Sequence, residues 1–155
     1  MFLTVHSAAA VIVSQITPNP LLAFILALIS HFILDLIPHG DQEFAQDKTQ
    51  ILKKEKKLLF SIAAVDIILM SGLLLFFYLN NLAKPSLVVI AALTGALLPD
   101  FLSALFLIAE NQILKKIFYF QNWLHYLFWG FTVNFKIGLI IQLIFLLGFL
   151  ALILK

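Results

Sequence analysis

The chain has 155 residues, 63% of them hydrophobic and 12% charged, with a net charge of +2 and a mean hydropathy of +1.07. A soluble domain is about 45–50% apolar and about 25% charged, so this much apolar surface cannot be hidden in a small globule and the chain reads as an integral membrane protein. All ten cations are lysine and cysteine is absent, which argues against a nucleic-acid partner held by arginine forks and excludes disulfides, iron–sulfur clusters and thiolate zinc sites. Any metal would have to be held by His, Asp or Glu.

A helix needs about 20 apolar residues to cross a hydrocarbon core of about 30 Å. In chain order the apolar segments are 4–16, 20–38, 58–79, 86–109, 117–133 and 137–154. The first is short, carries His6, Ser7 and Gln15, and is expected to be a tilted or re-entrant helix. It has no positively charged leader or cleavage pattern of a secretory signal. Pro20 and Pro85 sit near two segment starts, where a missing N–H costs least. The polar stretch 40–57 is too short for a domain. The expected fold is therefore all-α: a single transmembrane domain over 1–155, a polytopic integral membrane bundle of five to six helices. If all six segments cross, residues 40–57, 110–116 and the C-terminus share a side that holds eight lysines, against Lys84 and Lys136 on the other. The positive-inside rule makes the 40–57 loop and both termini cytoplasmic, in a cell membrane of the bacterial inner-membrane kind, with membrane lipid as the partner.

Ionisable groups inside hydrocarbon cost several kcal/mol each and usually face a cavity or one another. This chain has His6, His31, Asp35, Asp66, Asp100 and His125 within its apolar segments, and His39 and Asp41 at an edge. With a rise of about 1.5 Å per residue, Asp66 and His125 each lie about 12 Å from the cytoplasmic start of their segments. Asp35 and Asp100, each 15 residues after a proline, lie about 8 Å from the same face by the same rise. His6 and His39 belong near that surface too. All fall in the cytoplasmic half of the bilayer.

The densest string is SHFILDLIPHGD, residues 30–41. His31 and Asp35 stand one turn apart on one helical face, and His39 repeats the spacing. Imidazole nitrogen and carboxylate oxygen are the usual ligands of zinc and other first-row divalent ions, so H-x3-D-x3-H is a candidate ligand source. It reads equally as a self-neutralising His31–Asp35 pair. Asp66 has no ionisable neighbour one turn away and needs a partner from another helix, whether a metal or a structural hydrogen bond. In GALLPD, residues 95–100, Pro99 is expected to kink or break its helix, leaving Asp100 either to cap a half-helix or to reach a ligand. His125 lies among aromatic residues, a setting that also suits a packed, hydrogen-bonded histidine. No GxGxxG, Walker A, GxSxG or HExxH motif occurs, which removes support from nucleotide binding, serine hydrolysis and zincin chemistry.

With HSAAA at 6–10, SHFILDLIPHGD at 30–41, GALLPD at 95–100 and the late His125, the chain resembles bacterial inner-membrane proteins grouped as membrane-bound metal-dependent hydrolases. Its H-x3-D part is similar to the metal-ligand helix of zinc-dependent phospholipase C. In that family the P-D segment precedes the H-x3-D segment and is followed by a second acid, whereas here it follows, and Phe101-Leu102-Ser103 comes next. The resemblance implies a metal-dependent hydrolase acting from the cytoplasmic leaflet on a lipid-like ester or phosphoester. His6, His31, Asp35, His39 and Asp100 would then be metal ligands, and Asp66 and His125 catalytic or orienting groups. The ion would be zinc, with manganese or iron as alternatives. The competing expectations are an accessory membrane protein whose buried polar pairs join helices and, ranked third, a proton- or ion-coupled transporter.

Overall fold

The computed structural model describes residues 1–40, 53–109, 111–127 and 133–155, and among them every regular element is a helix. These are α1 (Leu3–Ile16), α2 (Pro20–Asp35), α3 (Lys53–Leu79), α4 (Leu87–Ala109), α5 (Gln112–Leu127) and α6 (Phe135–Ile153). Helix starts are set by local chemistry. Asn19 accepts from the backbone of Leu21 and Leu22 while Pro20 takes the first helical position, and Asn134 accepts from Ile137 N at 2.9 Å; both satisfy donors that a helix N-terminus leaves open. α2 ends at Asp35, shortly before Pro38, because the residue preceding a proline is pushed out of helical geometry.

Among the described residues three helices are long and apolar enough to span a membrane: Phe60–Leu79 of α3, Leu87–Phe106 of α4 and Phe135–Ile153 of α6. That is fewer than the expected five to six. α1 and α2 have 14 and 16 residues, about 21 and 24 Å at the helical rise. α5 begins upstream of Lys115 and Lys116 and is described as far as Leu127; residues 128–132, the remainder of the expected 117–133 segment but for 133, fall outside the described residues. The lysine run 53–57, expected in a loop, lies within the first turns of α3, while residues 41–52 and Glu110 fall outside the described residues.

The shortest helix is the innermost. α1 packs on α2, α3, α4 and α6, and Ala8, Ala10 and Val11 are completely buried. Small side chains allow this: Ala10 meets Ala23 and Ala27 of α2 and Ala92 and Ala96 of α4, an interface type in which backbones approach closely. At Gly95 the α2 and α4 backbones come into contact, since a Cβ there would collide with the backbone carbonyl of Phe24. α4 runs through Pro99 without interruption, so of the expected kink or break, the break does not occur. Large apolar side chains such as Ile68, Leu87 and Ile108 are exposed on the outside.

The packing also defines two ends. Phe2, Ser61 and Asp66 meet Phe135 and Leu139 of α6 around one groove, and Ser61 is one turn from Lys57. At the other end Ile153 shares a core with Ala8, Val11 and Phe77, flanked by Leu82 and Ala83, and Gln15 Nε2 donates to Leu82 O at 3.1 Å. α6 therefore starts at the lysine-rich end and finishes at the Lys84 end. Lys155, two residues beyond Ile153, lies at the end of the packing that holds Leu82 and Ala83, beside Lys84, whereas six crossings would have put it with the 53–57 run.

Candidate functional site

Near the lysine-rich end, side chains from α1, α2 and α4 converge. His6, His31 and His39 are fully buried and Asp35 is almost so, while the Asp100 side chain is 26% exposed. His6 Nε2 lies 3.2 Å from Asp35 Oδ1 and 3.8 Å from Asp100 Oδ2. His31 Nε2 lies 3.1 Å from Asp35 Oδ2 and 3.9 Å from Asp100 Oδ1. The two imidazoles stack with centroids 4.2 Å apart. Two ring nitrogens and two carboxylates thus face a common centre.

Backbone placement determines what those nitrogens can offer. His31 Nδ1 is 2.8 Å from the Ala96 carbonyl, and a carbonyl only accepts, so Nδ1 carries a proton and a neutral ring presents a lone pair at Nε2. The close α2–α4 packing brings that carbonyl within reach. A backbone carbonyl on the far nitrogen is the arrangement that orients metal-ligating histidines. His39 is held in the same way, Nδ1 to Ile37 O at 2.6 Å, and its Nε2 accepts from the Met1 amino group at 2.7 Å. That amino group also donates to Asp35 Oδ1 at 2.6 Å. Gly138 admits the segment, since a Cβ there would strike the His39 carbonyl, and Gln142 Nε2 donates to the same carbonyl at 3.0 Å.

The donor set fits a divalent ion. One donor atom each from His6, His31 and Asp100 lies within 4.8 Å of the others. Around a tetrahedral ion with bonds of about 2.0–2.2 Å, ligand atoms stand about 3.3–3.6 Å apart, so small side-chain movements would close the site. Asp100 Oδ2 and His6 Nδ1 are buried atoms without a hydrogen-bond partner among the described residues.

Other expected site residues lie elsewhere. Both carboxylate oxygens of Asp66 face the start of α1, accepting from Leu3 N at 2.6 Å and from Thr4 N and Thr4 Oγ1; Asp66 caps a neighbouring helix whose own N-cap residue, Phe2, cannot. His39 touches the cluster at its edge, 4.0 Å from Asp35 Oδ1. The side chain of His125, in α5, and the whole of Asp41 fall outside the described residues. Gln121 was not anticipated: it donates to Asp100 Oδ1 at 3.1 Å and its Nε2 lies 3.2 Å from His31 Nε2. A neutral amide in an aromatic stretch gives no ligand signal in a sequence.

In comparisons with known proteins, the chain matches no family model, no curated protein and no solved structure.

Proposed function

We propose that the protein is a membrane-embedded metal-dependent hydrolase in which His6, His31, Asp35 and Asp100 hold a divalent ion, zinc or its neighbours manganese and iron. The observation that carries this reading is the meeting of two histidine Nε2 atoms and two carboxylates at one centre, with the His31 tautomer set by Ala96 O. The same groups carry the resemblance to membrane-bound metal-dependent hydrolases. His6 and His31 would present Nε2 lone pairs, Asp35 would bring a carboxylate oxygen beside each of them, and the partly exposed Asp100 marks the side of approach. A bound divalent ion would supply Lewis acidity, polarising an ester or phosphoryl oxygen and lowering the pKa of a water to about 7.

A lipid-like substrate is favoured by a groove of about 330 Å³ lined mainly by Phe2, Ser61, Val65, Phe135 and Leu139. It is one residue from the cluster, since Met1 reaches Asp35 while Phe2 lines the groove. The lysine-rich end would face the cytoplasm, placing the centre in the inner half of a bacterial inner membrane. The test is elemental mass spectrometry on protein purified in detergent without chelator. Near-stoichiometric metal in the wild type, lost in both His31→Ala and Asp100→Ala, is expected.

A second reading has its own support. The Met1 amino group and the Gln121 amide already donate into the cluster, as they would in an accessory protein whose polar groups join helices. A folded wild type that holds no metal and takes up none on reconstitution would select it.

A further inference from the structure

Gln121 is 95% buried on the inner face of α5, and the direction of each of its hydrogen bonds can be worked out. The Ser103 hydroxyl donates to its Oε1. Its Nε2 donates to Asp100 Oδ1, which only accepts, and faces His31 Nε2, which accepts in the neutral ring because Nδ1–H is on Ala96 O and which also lies beside Asp35 Oδ2. Both amide N–H groups therefore point at two lone pairs that a cation at this centre would bind. An ion and that NH2 group cannot share the position.

Relief requires little movement. The terminal torsion of glutamine is broad and roughly two-fold, so a half-turn exchanges oxygen and nitrogen without moving α5. After the half-turn Oε1 faces the centre, and Nε2 faces Ser103 Oγ, which can accept once its own hydroxyl rotates. Ser103 thus serves either orientation, as donor in one and acceptor in the other.

We propose that Gln121 is a metal ligand of this centre: its carboxamide guards the site with N–H in the metal-free state and turns over on binding to add its oxygen to the donors of His6, His31, Asp35 and Asp100. This rests on the metal-binding reading above and names a ligand that reading does not contain.

The test measures Zn²⁺ dissociation constants in detergent by competition with a chromogenic chelator, together with melting temperatures with and without Zn²⁺, for wild type, Gln121→Ala, Gln121→Glu and Ser103→Ala. Gln121→Ala should weaken binding by about 10–100-fold, the range for loss of a supporting group at a metal site. Ser103→Ala should weaken it less. Gln121→Glu should bind at least as tightly as wild type and gain more melting temperature from Zn²⁺, because its carboxylate repels Asp100 until an ion separates them. Gln121→Ala binding as tightly as wild type, or tighter, would overturn the proposal and leave the metal centre standing without Gln121. A wild type that binds no metal would bring down both. If the alanine variant does not fold, Gln121→Glu decides alone: a Zn²⁺-induced rise no larger than that of wild type overturns the proposal.

Discussion

Asp66 and His31 are both buried ionisable residues on apolar helices, yet their partners give them different work. Asp66 accepts from two backbone N–H groups and a hydroxyl at the start of α1, where a helix leaves its first donors open and its dipole favours a carboxylate. His31 faces two carboxylates and a carbonyl. The two residues should therefore separate by measurement. Asp66→Ala leaves buried donors unsatisfied, at about 1–3 kcal/mol each, and should lower unfolding stability in detergent by ~2 kcal/mol or more while leaving the metal content of the folded fraction unchanged. Loss of metal from folded Asp66→Ala would move Asp66 into the centre.

At the scale of the helices, the centre depends on how closely α2 and α4 approach. Gly95 lies against the backbone of Phe24, and the next residue, Ala96, supplies the carbonyl that holds His31. Pro99 leaves the Gly95 carbonyl without its usual helical donor, so this turn of α4 is held chiefly by packing. Gly95→Val should cost about 1–3 kcal/mol or more, since the obstruction is backbone rather than a movable side chain, and should reduce metal content in the protein that survives. Gly72→Val and Gly148→Val, at positions with nothing within 4 Å of an added Cβ, should change neither. Equal losses in all three would refute the contact. This dependence shows what the sequence could reveal. The six apolar segments correspond to α1–α6 because apolar length, and the prolines Pro20 and Pro85 near two starts, mark helices directly. The clustering of His6, His31, Asp35 and Asp100 at one depth was legible from the helical rise. Their lateral meeting was not, because it is set by which helix faces which, through alanines and glycines that are common in any apolar helix. The roles of Asp66, Gln121 and Gln142 were hidden for the same reason: each acts on a residue at least 18 positions away.

Across the whole molecule the question is which ends of the helices share a side of the membrane. Expecting six crossings put Lys155 with the 53–57 run. The packing puts the start of α6 beside Asp66 and Phe2 and its end beside Phe77 and Leu82, so Lys136 and Lys155 exchange ends. The lysine asymmetry survives this exchange. Among the described residues Lys53, Lys54, Lys56, Lys57, Lys115, Lys116 and Lys136 group by helix order at one end, against Lys84 and Lys155 at the other. Under the proposed membrane insertion the positive-inside rule would put the 53–57 run in the cytoplasm in either arrangement, so the side of Lys155 relative to Lys57 distinguishes them. Because the chain has no cysteine, single substitutions read cleanly. An impermeant maleimide applied to intact cells should label Lys84→Cys and Lys155→Cys, and should reach Lys57→Cys only after permeabilisation. Protection of Lys155→Cys together with labelling of Lys84→Cys would mean that α5 crosses after all. Labelling of Lys57→Cys with protection of Lys84→Cys would invert the protein and move the His/Asp centre to the outer half of the membrane.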